Sequence, residues 1–209
     1  NIIVYKQTKP ISDLPHLSKG NMPYDNNNLL LNDREKKELI SNYPDSKRFL
    51  KRIVGSNEFI NGINRWCLWI HGDELKFAKT IEPIRKRIDA VYIFRKDKKL
   101  SDRIKNKSHQ FRETLETKSQ TLVIPSVSSE NRNYIPIGFI DKNIIVSNLA
   151  FALYDAPIWI FGLLSSRLHS LWIYTVCGKL ETRYRYSSFL GYNTFPCPKP
   201  EKKQIEIIT

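Results

Sequence analysis

Apolar residues along the chain switch repeatedly between a two-residue rhythm and a three-to-four-residue rhythm. The first marks a strand with one face buried, the second an amphipathic helix. The opening IIVY at 2–5 predicts a short strand, and the Pro-, Asn- and Gly-rich PISDLPHLSKGNMPYDNNN that follows predicts loop. After the apolar run Leu29–Leu31, Asn32 or Asp33 caps a helix near 33–41 with acids in its first turn. Pro44 and Asp45 predict a short helix over roughly 45–53 that Gly55 stops. NRWCLWIHG reads as a strand at 64–70, and residues 73–89 have helical spacing, with Pro83 as a kink or break. The basic FRKDKKLSDRIKNKSHQFR also has helical propensity. Four strand patterns follow: TLVIPS at 121–126, YIPIGFI at 134–140, NIIVS at 143–147 and AFALYD at 150–155. Pro157 begins a long apolar helix that Gly178 ends, and LETRYRYS returns to the strand rhythm.

Strands and helices mixed without a regular βαβ order, and without an internal repeat, predict an α+β domain. The expected architecture is a mixed or antiparallel sheet with packed helices, including one long buried helix near 157–177. The domain is expected over 1–195, with 196–209 a Pro-rich linker leading into a missing segment. The apolar stretch after Pro157 is interrupted by Ser165, Ser166, Arg167 and His169, which a membrane span does not tolerate cheaply, so no membrane partner is expected. The chain opens without Met and contains one Met in all, which reads as a piece of a longer protein.

Composition adds a partner class. Lys and Arg number 34 against 21 Asp and Glu, a formal charge of +13 in 209 residues. Such an excess favours a polyanion, because neutralising phosphates releases condensed counterions. A basic surface without a partner fits the same number. Cys67, Cys177 and Cys197 are odd in count and form no CxxC pair, which suits a reducing cytosol rather than disulfides or a zinc ribbon. His16, His71, His109 and His169 are scattered and make no metal constellation.

Catalytic motifs are sparse. A methyltransferase needs a Gly-rich cofactor turn and an Asn/Asp-Pro-Pro-aromatic loop, and this chain has eight Gly and no Pro-Pro pair. No GxxxxGK[ST] occurs. Pro44-Asp45 with Glu74-Leu75-Lys76 fits a loose PD…ExK nuclease pattern, in which the carboxylates hold a divalent metal and Lys76 sits beside the attacking water. A helix cap at Asp45 and a turn at Glu74 explain the same residues.

Two basic features suit DNA. Arg95, Lys96, Lys98, Lys99 and Arg103 lie in an almost one-signed run, suited to phosphate contact; a solvated helix face is the alternative. On a strand, Glu181, Arg183 and Arg185 of LETRYRYS share one face, their tips spanning roughly 13 Å at about 3.3 Å per residue. A carboxylate accepts from cytosine N4 and a guanidinium pairs bidentately with guanine, so the row suits a major groove; a surface strand with an ion pair suits it equally.

GNMPYDNNNLLL, FLKRIVGSNEFINGINRWCLWI, IPSVSSENRNYIPIGF and ALYDAPIWIFGLLSSRLHSLWIYTVCGKLETRYRYSSFLGYNTFPCP, in this order, resemble the target recognition region of MmeI-type enzymes, from about residue 8 to 198. Those single-chain type II restriction-modification proteins join a nuclease, an adenine-N6 DNA methyltransferase and a recognition domain. The resemblance implies that this chain recognises double-stranded DNA by sequence and has no catalytic residue, metal or cofactor of its own. S-adenosylmethionine and Mg then belong to the parent enzyme, whose methyltransferase and nuclease domains are the protein partners, in the bacterial cytoplasm. Carried over by motif, the base-reading positions are Ser126, Asn148, Leu149, Glu181, Arg183 and Arg185, with Glu181 and Arg183 resembling a pair that reads one C·G. Ser126 is shorter than the charged residues expected there; Leu149 suits a thymine methyl or fills space beside Arg185. Arg132 and Lys179 join the phosphate contacts, Asn193 fixes a loop, and Tyr24, Trp66, Trp69, Phe139, Trp159, Phe161 and Trp172 belong to the core. A metal-dependent PD…ExK nuclease fragment and a basic protein-interaction domain are the readings from other classes.

Overall fold

The computed structural model describes residues 3–197 and 200–208. In chain order the elements are β1 (Ser18–Lys19), β2 (Leu30–Leu31), α1 (Asp33–Asn42), β3 (Leu50–Val54), α2 (Ser56–Asn61), β4 (Trp66–Leu68), α3 (Leu75–Ala78), α4 (Glu82–Lys96) and α5 (Asp102–Asn106). They continue with β5 (Gln120–Pro125), β6 (Val127–Ser128), β7 (Gly138–Asp141), β8 (Ile144–Val146), β9 (Ala150–Tyr154), α6 (Ile158–Leu164), α7 (Arg167–Val176), β10 (Lys179–Leu180), β11 (Arg183–Arg185) and α8 (Lys202–Ile208). The class is α+β, with one parallel strand pair in otherwise antiparallel sheets.

Two cores organise the chain. The first sheet, ordered β2-β4-β3-β8, is covered by helices whose apolar stripes face it. On α4 the buried positions Ile84, Ile88, Val91 and Arg95 follow one face at intervals of four, three and four. The second sheet, β1-β9-β5-β7, packs with α6 and α7 around Leu122, Ile124, Leu153, Ile160, Ile173 and Tyr192. A small cluster of Val123, Val146, Ala150 and Ala152 joins the two. The tight turn between β7 and β8, where Asn143 N–H donates to Asp141 Oδ1 at 2.8 Å, carries the chain from the second sheet to the first. Residues 147–149 carry it back to β9. They therefore lie at the junction of the two sheets.

Several expected elements change. Asn32 caps α1 as expected, with a reciprocal Glu35 bond. The helix expected over 45–53 is a 3-10 turn ending at Phe49, and Leu50–Val54 is a central strand. Its partners β4 and β8 satisfy its backbone on both sides, and β-branched Ile53 and Val54 favour that state. Pro83 starts α4 rather than kinking a helix, where its missing N–H costs nothing. The strand expected at 2–5 is absent over 3–5, where Ile3 and Tyr5 are exposed; residue 2 lies outside the described residues. The expected linker contains α8, which packs near α6.

The single helix expected near 157–177 is two. Ser165 Oγ turns back to Phe161 O at 2.6 Å, and Ser166 is extended (φ −68, ψ 156) with its Oγ accepting the His169 N–H, so it caps a new helix. The second helix is not buried all round: Leu168 and Leu171 are 66% and 51% exposed.

Its inner face holds His169, whose Nε2 lies 3.0 Å from Tyr186 Oη. Burial pushes the His169 pKa down to about 4 from 6.5. His109 is likewise held at about 4, first by burial and then by Lys107, Lys79 and Arg95. Unfolding restores ordinary values, so the unfolded chain binds more protons between these limits. Stability is complete above pH 6.5 and falls as pH drops toward 4. Denaturant midpoints should drop by the equivalent of about 2 kcal/mol per histidine between about pH 7.5 and 5. Equal midpoints at the two pH values contradict this.

Candidate nucleic-acid interface

The junction loop 147–149 is fixed from three sides. Ser147 N–H donates to Val54 O at 2.8 Å, and Asn148 N–H donates to Asn21 O at 3.0 Å. Asn21 is fully buried; its Nδ2 donates to Leu115 O and Val146 O, and its Oδ1 accepts the Leu115 N–H. Gly55 packs so closely that a Cβ there would lie 2.8–2.9 Å from Ser147 Oγ, Glu58 Oε2 and Leu149 Cβ. The next residue, Ser56, is the connector that sequence reasoning missed. Its Oγ accepts the Ser126 N–H at 2.8 Å and donates to Leu149 O at 2.5 Å. One hydroxyl thus ties the corner after β5 to the junction loop, bringing Ser126, Asn148 and Leu149 together. Leu149 is 53% exposed. Ser126 is half-buried, and its Oγ has no hydrogen-bond partner among the described residues.

The expected continuous strand at 180–186 is also corrected. Lys179 pairs with Tyr184 and Leu180 with Arg183, so β10 and β11 form a hairpin around Glu181 and Thr182. Glu181 sits at φ +58, off the strand, which removes it from the expected three-residue row. Its carboxylate lies 2.8 Å from Arg183 Nη2 across the turn. Arg183 and Arg185 do share one exposed face, their positions about 7 Å apart at about 3.3 Å per residue. On the other face Tyr184 stacks on Tyr174 at 3.9 Å, and Lys179 Nζ lies 5.1 Å from its ring. β6 adds the third strand, pairing Arg185 with Val127, and Tyr186 N–H donates to Ser126 O at 2.9 Å. The arginine edge is therefore continuous with the Ser126 corner and, through Ser56, with Asn148 and Leu149.

The basic segment divides. Arg95 is 0% exposed and its guanidinium donates to five carbonyls, those of Pro23, Tyr24, Ile104, Lys107 and Gln110. Every N–H is used, so the expected phosphate role is replaced by a structural one. Lys96 at the end of α4, Lys98 and Lys99 after it, and Arg103 on the short α5 are exposed. Lys98 Nζ lies 5.2 Å from the Phe94 ring, and Phe94 lines a cleft with Asn148 and Leu149, so this segment borders the junction loop. Lys179 in the hairpin and Arg132 near it are exposed. Arg132 lines a cleft of about 350 Å³ with Tyr134, Tyr174, Tyr184 and Arg167. Arg167 was not expected; its sequence signal is a cation opening a helix without an acid beside it.

Core expectations are largely met: the indole N–H of Trp66, Trp69 and Trp172 donates to Asp33, Glu116 and Gly191 O respectively, and Asn193 Nδ2 holds Gln7 O. Tyr24 is the exception, a half-buried cleft residue at φ +46. Local structure accounts for the PD…ExK residues: Asp45 lies in the 3-10 turn, and Glu74 is paired with Arg48 at 2.9 Å. Among the described residues no group of three or more His, Cys, Asp and Glu could hold a metal ion. None of their helices is long and apolar enough to cross a membrane.

The model of the family described as "MmeI, target recognition domain" matches residues 1–199. A relative from Bacillus subtilis (strain 168), described as DNA methyltransferase A, is 45% identical over 203 residues, covering 95% of this chain and 23% of its own. A solved structure of the Type IIL restriction-modification enzyme MmeI in complex with DNA is 41% identical, with a TM-score of 0.91 over 99% of this chain and 28% of that one. The chain thus spans about a quarter of the length of these relatives.

Proposed function

The chain belongs to the MmeI target recognition domain family, and from that premise we propose that it reads the target sequence in double-stranded DNA for a longer restriction-modification methyltransferase. The observation that carries this reading is the exposed Arg183–Arg185 edge, joined to the Asn148–Leu149 loop through the Ser126 corner and Ser56. Arginines two apart on a strand reach neighbouring guanines, each pair of N–H groups meeting O6 and N7. Glu181 orients Arg183 and offers a carboxylate to cytosine N4 on the partner strand, so the pair reads one C·G. Leu149 offers apolar contact to a thymine methyl, and Asn148 a carboxamide to adenine.

Lys96, Lys98, Lys99, Arg103, Arg132 and Lys179 hold phosphates on either side and set the register without reading sequence. Lys99→Ala should weaken binding to matched and mismatched duplexes alike and reduce the slope of log affinity against log salt by about 0.9. A loss confined to one base pair would contradict that role.

In this reading the remainder of the parent chain supplies the chemistry: a flipped adenine methylated at N6 with S-adenosylmethionine, and a Mg-dependent nuclease, in the bacterial cytoplasm. These groups bind outside the 209 residues, which position the duplex. Duplex binding by the chain, measured by fluorescence anisotropy at increasing salt, tests the function. Steeply salt-dependent affinity supports it, and no binding at low salt sinks it.

A further inference from the structure

We propose that Asn26 and Asn27 form a second base-reading element, directed at an adenine edge beside the pair met by Asn148 and Leu149; this rests on the DNA-reading function proposed above. A cleft of about 280 Å³ separates the 22–27 loop from the junction loop, with Asn26 and Asn27 on one wall and Asn148 and Leu149 on the other. The 22–27 loop therefore lies across this cleft from Asn148.

The loop is built to hold a fixed shape. Tyr24, Asn26 and Asn27 all have left-handed backbones, with φ of 46, 52 and 62. The buried Asp25 carboxylate accepts the N–H groups of Asn27 and Leu29, at 3.1 and 2.5 Å. Arg95 clamps the preceding carbonyls of Pro23 and Tyr24. Such locally costly backbone persists only where its surroundings over-determine it, and it gathers at ligand-binding positions.

The three consecutive asparagines are not used alike. Asn28 donates its amide to Asp25 O and Asn26 O and so completes the turn. Asn26 and Asn27 are exposed, and their carboxamides have no hydrogen-bond partner among the described residues. A carboxamide held rigidly at a groove can donate to adenine N7 while accepting from N6. A second carboxamide close to Asn148 thus extends the reading surface by one A·T pair, opposite in preference to the guanines met by Arg183 and Arg185.

Glycine variants separate reading from turn formation, because glycine populates left-handed backbone freely while the carboxamide and its methylene are removed. The full-length enzyme carrying these residues would be given a randomised duplex library, and the methylated products sequenced. Asn26→Gly/Asn27→Gly should lower the preference for A·T at one position by on the order of 5- to 100-fold, leaving the others intact. Arg183→Ala, run in parallel, should relax a different position. An unchanged preference in the glycine variant beside a relaxed Arg183 variant overturns this inference and leaves the DNA-reading function standing. Equal weakening on all sequences also overturns it, assigning the loop to the DNA backbone. No change in either variant overturns both.

Discussion

Arg183→Ala is expected to lower discrimination at a single base pair by on the order of 5- to 100-fold, the equivalent of about 1–3 kcal/mol. The side chain is 48% exposed, and it forms an ion pair with Glu181, itself 76% exposed. Such a surface pair contributes little to folding, so the melting temperature should hardly move. In the proposed role the hairpin edge loses its planar fork, and Glu181 loses its partner across the turn. Arg183→Lys should not restore selectivity, because an ammonium cannot meet O6 and N7 in one plane. Competition between duplexes differing at each position in turn measures the effect. A uniform loss over all positions would place Arg183 on phosphate instead.

Arg95→Met should have the largest effect on stability of any single change considered. Five carbonyls from two separate segments, 23–24 and 104–110, end on one guanidinium at 2.8–3.2 Å. Burial pushes its pKa down, with Asp25 and Tyr24 opposing, and its donors are all engaged. Methionine fills much of the volume and leaves every acceptor unmet. Buried acceptors left without donors cost about 1–3 kcal/mol each, and with partial relaxation among the five the loss is about 3–5 kcal/mol. For a domain of this size that corresponds to a fall of about 10 °C or more in melting temperature. Arg95→Lys should recover only part, since an ammonium has three donors. Thermal unfolding followed by circular dichroism checks the order wild type, Lys, Met; a Met variant within about 2 °C of wild type would contradict the clamp.

These two arginines also mark where the amino-acid sequence was informative. Strand and helix rhythms located α1, β4, β5, β8 and β9 closely, because local periodicity governs them. The motif order carried the family, and the segments of Asn148–Leu149 and Arg183–Arg185 are linked through Ser126 and Ser56. Arg95 stands in a basic run and looks like its neighbours. Its signal lay in the helix period, since Ile84, Ile88, Val91 and Arg95 share the buried stripe of α4. The Glu181–Thr182 turn carries no Gly or Asn to announce it, and its shape comes from the pairing of β10 with β11. Ser56 was unreadable, because its role depends on two segments 70 and 93 residues away. Ser165 and Ser166 were visible as a polar interruption, but only the extended Ser166 turns them into a helix start.

Replacing each guanine of the selected duplex in turn by 7-deazaguanine, which lacks the N7 acceptor, tests base reading at the hairpin most directly. Wild-type full-length protein should lose affinity at two guanines, and Arg183→Ala should show no further loss at one of them. If the losses from the analogue and from Arg183→Ala simply add at every guanine, Arg183 does not read that base and the proposed role of the hairpin is wrong.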